Sequence, residues 1–453
     1  MTGLERISHA MRLSEVDRIP WVPFVGAHAG ALLDLTASEY LQSADHIVTG
    51  VSKAIEVYDP DGIPVVFDLQ IEAEALGCKL NWADDNPPAV ISHPLTDGAG
   101  ICDLQLPGTS NGRIPVVMEA ARRLREMHPD IALYGLITGP FTLALHLMGT
   151  DVFMRMMEDP DQVHRLMRFA TDVAVFMSGQ YIDAGCDVIA MVDPMTSQID
   201  PVSFETFVSP YAVEIFDAIR DSGAFSSFFV CGNAQQNIEV MCKCRPDNVS
   251  IDENIPLDFV RDVVLENQVS FGGNIKLTVV LLMGDEDDSR REALECMDIG
   301  GKTGFILAPG CDLAMATPPA NLKAITELVK DEELQAELRA SDAKVSEVEK
   351  LDLSDHYFPD KVVIDIVTLD SSSCAPCQYM VDAVARAAES FGDNVVYREY
   401  RIKEKEGVQM MATLGVMKIP TIVMDGNTEF SSQIPPIHEI RDKIGEYLKS
   451  KKQ

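Results

Sequence analysis

Eight short apolar runs leave this chain few folds to adopt, because each ends in a polar or glycine-rich turn and leads into a longer segment of helical period. The runs span 21–25, 63–67, 131–137, 188–192, 227–230, 248–251, 269–272 and 304–307, and the helical segments include 162–184, 204–221, 290–297 and 320–330. Strands that alternate with helices return parallel to one another, since a parallel return needs a crossover. Eight such units predict a closed (β/α)8 TIM barrel. An open doubly wound sheet would carry a phosphate-binding glycine turn after an early strand, and neither Gly-x-Gly-x-x-Gly nor a Walker motif occurs. The stretch 77–112, rich in Asp, Pro, Gly and Asn, interrupts the alternation and is expected to be an irregular excursion near the barrel mouth.

The chain has 453 residues, more than one core of about 250–300 residues uses, so a second domain is expected. Its boundaries follow from composition: a barrel over 1–335, a charged linker over 336–359, helical or extended, and a small α/β domain over 360–453. Against 37 basic residues stand 71 acidic ones, a formal net charge of −34, which repels nucleic acid and anionic membrane surfaces. No apolar run reaches the length of a membrane span, and the first residues lack a basic segment followed by an apolar one. Ten cysteines, including unmatched spacings such as Cys78, Cys102, Cys186 and Cys296, read as mostly reduced thiols of a cytoplasmic protein.

The small domain runs strand, Cys374-Ala-Pro-Cys377 at a helix start, strand, helix, strand, a turn at Asp425-Gly426-Asn427, and a closing helix. A helix amino terminus stabilises a thiolate, which makes Cys374 the expected nucleophile of disulfide exchange and Cys377 its partner. Ile419-Pro420-Thr421 follows 46 residues after Cys374. In motif, element order and Pro420 the segment resembles the thioredoxin superfamily. That resemblance implies a cis-proline loop at Pro420 facing the dithiol. Ser373 stands where thioredoxins carry Trp, and Thr368 where their buried Asp lies.

In the barrel, Ser226-Ser-Phe-Phe-Val-Cys231-Gly-Asn233 and Gly304-Phe-Ile-Leu-Ala-Pro-Gly-Cys311 share one design, an apolar strand that stops at a cysteine. Parallel α/β folds gather their chemistry at the strands' carboxyl edge. Two thiols meeting there are half of a zinc site; the alternative is two small buried apolar residues. Cys242-Lys-Cys244 has a spacing that points its thiols apart and reads as structural.

With Gly139-Pro140-Phe-Thr, Asp193-Pro194, Cys231-Gly-Asn233 and Ser250-Ile-Asp-Glu253 added, residues 1–335 resemble the uroporphyrinogen decarboxylase superfamily, within it the corrinoid methyltransferase branch, similar to methylcobamide:coenzyme M methyltransferases. The decarboxylases grip their substrate with an early arginine-rich segment, whereas 24–30 here holds no arginine. The resemblance therefore implies methyl transfer at zinc between a corrinoid on a partner protein and a small thiol or tetrahydrofolate-type acceptor. No Asp-x-His-x-x-Gly corrinoid motif occurs in the chain. The branch holds zinc with a His-x-Cys pair and a distant cysteine, which fall on position 229, Cys231 and Cys311, and position 229 is Phe229. Glu253 matches a carboxylate that completes the set, and His28 is the candidate substitute for the missing nitrogen. Asp193, Asn233 and Asn274 are the expected substrate-positioning residues, with strand-end capping as the alternative for Asp193 and Asn274. Two further readings stay open: an altered barrel serving a thioredoxin-like reductase, and a corrinoid-dependent demethylase component.

Overall fold

Strands β1 (Gly62–Pro64), β2 (Ala132–Thr138), β3 (Val188–Val192), β4 (Phe225–Val230), β5 (Asn248–Ile251), β6 (Ser270–Ile275) and β7 (Phe305–Pro309) pair in chain order, each parallel to the next. This computed structural model describes residues 1–341, 348, 350–372 and 374–451. Residues 342–347 and 349 of the expected linker, and Ser373, lie outside the described residues. The chain divides into two units, Met1–Val345 and Ser346–Gln453.

The gap between β7 and β1 is bridged by residues 20–22. Leu307 N donates to Pro20 O and Val22 N to Leu307 O, while Asp61 N donates to Trp21 O, each at 2.9 Å. The segment 21–25, expected as a full strand, supplies one bridged residue, Trp21. Pro20 and Pro23 have no N–H to extend the ladder. β1 is likewise shorter than the expected 63–67, at three residues, although Val65 N still donates to Tyr134 O at 3.0 Å. Sequence periodicity is thus right about the curled parallel sheet of a TIM-like fold and too generous with its first two strands.

Alternate strand residues face inward. Ala132, Tyr134 and Leu136, then Val188, Ala190 and Val192, then Ile306 and Ala308 form the barrel core with Phe24, Phe67 and Phe229. Helix Gly3–Met11 starts in a capping box between Thr2 and Glu5, and its Ile7, Ala10 and Met11 join that core. The excursion 77–112 is less irregular than expected, since Leu80–Asn81 pairs with Ala89–Val90 in a short hairpin. Arg113 fastens its base by an ion pair with Asp68, a 2.7 Å bond to Glu74 Oε2, and a cation–π contact with Trp82.

In the second unit, β8 (Val362–Thr368) lies between β9 (Val395–Arg401), parallel to it, and β10 (Thr421–Met424), antiparallel, with β11 (Asn427–Ser431) beyond β10. Asp425 and Gly426 close the β10–β11 hairpin with positive φ of 45° and 81°, as a two-residue turn requires. Helices Ala375–Ala388 and Ile437–Ser450 bury Met380, Val384, Ile440 and Ile444 against Ile364, Ile366 and Ile422. Residues 350–359, expected as linker, are fastened to this unit. Leu351 N donates to Thr413 Oγ1 at 2.8 Å, His356 Nε2 sits 2.9 Å and 3.0 Å from the two oxygens of Asp365, and Lys451 Nζ donates to Phe358 O at 2.7 Å. Among the described residues no helix is long and apolar enough to cross a membrane.

Candidate functional site

Two thiols eighty residues apart meet where β4 and β7 end. Cys231 Sγ lies 2.9 Å from Cys311 Sγ, and both side chains are half-buried above the inner aromatic layer. Glycines shape both turns. Gly232 takes φ +89°, and a Cβ on Gly310 would lie 2.4 Å from Glu253 Oε2 and 2.8 Å from Glu253 N. The Glu253 carboxylate thus packs directly against the residue preceding Cys311. Its Oε1 accepts from Leu277 N at 3.4 Å.

The neighbouring Asp252 escaped sequence reasoning, although Ser250-Ile-Asp-Glu253 contains it. Its carboxylate accepts from Gly232 N and from Asn254 N and Nδ2 at 2.9 Å and 3.0 Å, which ties the β5 turn to the Cys231 turn. Burial pushes Asp252 up to about 6; burial and then the Asp252 charge push Glu253 up to about 8. The hydrogen bond with Cys311 and then burial drive the Cys231 thiol well above its ordinary value. Such a cluster of withdrawn acids is what a divalent cation neutralises.

In kind, then, the donors suit zinc. Their arrangement is not closed: among the described residues no group of three or more His, Cys, Asp or Glu is set around a common point. Tetrahedral zinc with bonds of about 2.3 Å would hold two sulfurs about 3.8 Å apart, so the pair has to open from its 2.9 Å.

Phe229, at the position where the resemblance implies a nitrogen ligand, is one of the three rings that fill the barrel beneath the thiols. It is 1% exposed, with its ring centroid 5.1 Å from Phe24 and 5.8 Å from Phe67. His28, the expected substitute, has both nitrogens engaged elsewhere: Nε2 lies 2.6 Å from Tyr58 Oη and Nδ1 3.1 Å from Met315 O. Burial lowers it to about 4, so it is neutral. The structure does not bring it to the sulfurs, because helix His28–Ala31 turns its ring onto Tyr58.

The expected positioning residues separate into three kinds. Asp193 is fully buried and serves as a cap for helix Pro140–Met148, accepting from Thr142 N at 2.8 Å, Thr142 Oγ1 at 2.6 Å and Phe141 N at 3.1 Å. Of its two readings, capping is the one the geometry displays. Asn274 Nδ2 donates to Asp252 O at 3.1 Å and Ile255 O at 2.8 Å, so it holds the loop that carries Glu253. Asn233, two residues beyond Cys231, keeps a buried Oδ1 with no partner among the described residues.

In the second unit Cys374 and Cys377 are joined in a disulfide at the start of helix Ala375–Ala388, and the Ile419–Pro420 peptide is cis. Thr368 does not stand alone in the place of a carboxylate. Its Oγ1 donates to Glu399 Oε1 at 2.5 Å, and Ser371 N and Oγ reach the same carboxylate at 2.9 Å and 2.7 Å. Glu399 comes from the adjacent strand β9 and anchors the loop leading into Cys374.

A TIM-like barrel with two thiols at its strand ends, joined in one chain to a thioredoxin-like unit, defines the architecture. Residues 2–332 match the uroporphyrinogen decarboxylase (URO-D) family and 362–445 a thioredoxin domain, so the chain belongs to the uroporphyrinogen decarboxylase family and carries a thioredoxin domain. The methylcobamide:CoM methyltransferase MtbA of Methanosarcina acetivorans is 27% identical over 73% of this chain and 98% of its own. MtaA of Methanosarcina barkeri, a methylcobamide:CoM methyltransferase too, is 28% identical over 71% and 95%. A methyltransferase from Methanosarcina mazei superposes with a TM-score of 0.68 at 25% identity, over 73% of this chain and 98% of that structure.

Proposed function

We propose that the barrel transfers a methyl group between a corrinoid carried by a separate protein and a small acceptor, a thiol first and a tetrahydrofolate-type molecule second, at zinc held by Cys231, Cys311 and Glu253. The observation that carries this reading is the meeting of Cys231 and Cys311 at 2.9 Å beside Glu253 in a barrel whose relatives are methylcobamide:CoM methyltransferases. Zinc bound there supplies one thing, an acceptor thiol that loses its proton near neutral pH. The chain's own residues do the rest. Phe24, Phe67 and Phe229 form a dry floor, Asn274 fixes the Glu253 loop, and Asn233 offers an unpartnered acceptor to a substrate donor. The acidic surface, the ten cysteines and the lack of a membrane-spanning helix among the described residues support a cytoplasmic enzyme that binds neither nucleic acid nor membrane. The thioredoxin-like unit is assigned thiol–disulfide exchange through Cys374 and Cys377.

The test joins metal analysis to a methylcobalamin assay against a thiol panel that includes coenzyme M. About one zinc per chain, lost in Cys311→Ser with the fold intact, and thiol-dependent demethylation are expected. Protein purified without oxygen that neither carries nor takes up zinc would move the barrel to the second reading, an altered barrel. Phe229 favours that reading specifically, because it replaces a nitrogen ligand with an aromatic ring.

A further inference from the structure

The distance between Cys231 and Cys311 sits between two bonded states. A disulfide draws its sulfurs to about 2.05 Å and tetrahedral zinc spreads them to about 3.8 Å, while here they stand at 2.9 Å. Closing by about 0.9 Å makes the one and opening by about 0.9 Å the other. The two states exclude each other, since a sulfur in a disulfide is no thiolate ligand. Both side chains are half-buried at turns, whereas Cys78, Cys186, Cys242, Cys244 and Cys296 are buried; Cys102 is exposed, but it is the pairing at 2.9 Å that sets Cys231 and Cys311 apart. Phe229 removes one donor that would commit the pair to metal, and the same chain carries a Cys374–Cys377 couple.

We infer that Cys231 and Cys311 are a reversible redox pair that closes to a disulfide when no metal holds it and is reopened by a dithiol of the Cys374/Cys377 kind. Closure is ordinary exchange with an oxidised disulfide. One barrel thiolate attacks a sulfur of the oxidant, whose other sulfur leaves as a thiol. The second barrel thiolate then attacks the first sulfur and releases the remaining oxidant thiol. Two electrons pass from the barrel pair to the oxidant, together with the two protons that the barrel thiols release on becoming the attacking thiolates and that the departing oxidant sulfurs take up. Reopening runs the same steps backward: Cys374 attacks one sulfur of the barrel disulfide, Cys377 resolves the mixed disulfide, and the electrons end on Cys231 and Cys311. The sulfur chemistry does not depend on the methyl-transfer reading; only its consequence for metal binding does.

The experiment uses full-length variants with complementary deletions. C374S/C377S keeps the barrel pair and lacks the tail couple; C231S/C311S has the reverse. Chelator-stripped C374S/C377S is exposed to oxidised glutathione, its free thiols are alkylated, and digests are mapped by mass spectrometry. The expected result is a Cys231–Cys311 crosslink as the dominant pair, a loss of two free thiols per chain, and at least tenfold less crosslink after zinc preloading. Mixing the oxidised protein with reduced C231S/C311S should then create a Cys374–Cys377 disulfide as the barrel crosslink disappears. Absence of the crosslink, or its appearance only among random cysteine pairings, overturns the redox pair. A crosslink that the tail dithiol leaves untouched overturns the reopening step. Should C231S/C311S fail to fold, reduced wild type replaces it, the Cys374–Cys377 product being read from wild-type peptides after isotopic labelling of that partner. A crosslink in protein that never binds zinc sinks the zinc reading and spares the pair; tight zinc binding without any crosslink does the opposite.

Discussion

Replacing Phe229 by His asks whether the aromatic floor and the metal position are the same place. Burial of a Phe side chain stabilises by about 1.5–3 kcal/mol, and each aromatic pair adds about 0.5–1.5 kcal/mol. Phe229 is 1% exposed and has two ring partners, at 5.1 Å and 5.8 Å. A histidine keeps part of that contact but leaves ring nitrogens without a partner, so the metal-free variant should lose about 3–5 kcal/mol, as for a large core truncation. Zinc should reverse much of this in the variant. An affinity gain of about 100-fold corresponds to about 2.7 kcal/mol of added stability at a given zinc concentration. Urea unfolding followed by tryptophan fluorescence reads the right unit, because Trp21 and Trp82, the chain's two tryptophans, both belong to Met1–Val345. An equal zinc-induced shift in wild type and variant would refute the claim that position 229 faces the metal, and undiminished metal-free stability would refute the packing argument.

Asn274→Ala should cost about 1–3 kcal/mol by freeing the carbonyls of Asp252 and Ile255, and it should weaken zinc binding about 10–100-fold by releasing the Glu253 loop; isothermal titration with zinc that shows wild-type affinity would break that link. Asp193, raised by burial to about 6, has a folded pKa above its unfolded value, so it weighs against the fold increasingly as pH rises from about 4 to about 6 and no further above. The unfolding free energy of wild type relative to Asp193→Asn should therefore fall by about 1–3 kcal/mol across that window; taking the difference cancels the opposite contributions of the neutral His28 and His146, and a rising difference would contradict the sign. Glu399→Ala should raise amide hydrogen exchange at Ser371, whose N–H and hydroxyl it anchors, and unchanged protection would remove Glu399 from the dithiol loop.

What the sequence discloses here is what one strand or one helix carries by itself. The alternation of apolar runs and helical segments, the cysteines that end two of those runs, the Cys374-Ala-Pro-Cys377 helix start and Pro420 are all local patterns, and each finds its place in the structure. What stays hidden depends on pairing across the fold. Glu399 reaches the dithiol loop only because β9 pairs in parallel with β8, setting Ile366 opposite Glu399 within reach of Thr368. His28 reads in the sequence as a candidate ligand or a local hydrogen-bonding histidine, and its partners, Tyr58 thirty residues away and Met315, come from across the fold. Asp193 reads in the sequence as either a substrate-positioning carboxylate or a strand-end cap, and helix Pro140–Met148 presents it with two amides and a hydroxyl to cap. Prolines at 20 and 23 shorten the first expected strand for a reason any sequence displays, the missing N–H, which apolar periodicity does not weigh.

Phe229, standing where the resemblance implies a histidine, and the presence of a second dithiol bear on one physical quantity, the fraction of time the barrel sulfurs stay reduced and apart. A nitrogen ligand would hold zinc, and zinc would hold the sulfurs apart. With an aromatic ring there instead, metal bound as proposed would rest on two thiolates and a carboxylate whose own ionisation is resisted by burial and by Asp252. Weaker metal occupancy leaves the pair open to oxidation more often, at a separation already close to bonding. A couple at Cys374 and Cys377 is supplied at one equivalent per barrel by the chain itself, whatever the external thiol concentration. On this argument Phe229→His should make the barrel less dependent on its tail: zinc-loaded C374S/C377S carrying the histidine should form the Cys231–Cys311 crosslink more slowly under oxidised glutathione than the same protein with Phe229. Equal rates would separate the two features and leave the fused dithiol without a task at this site.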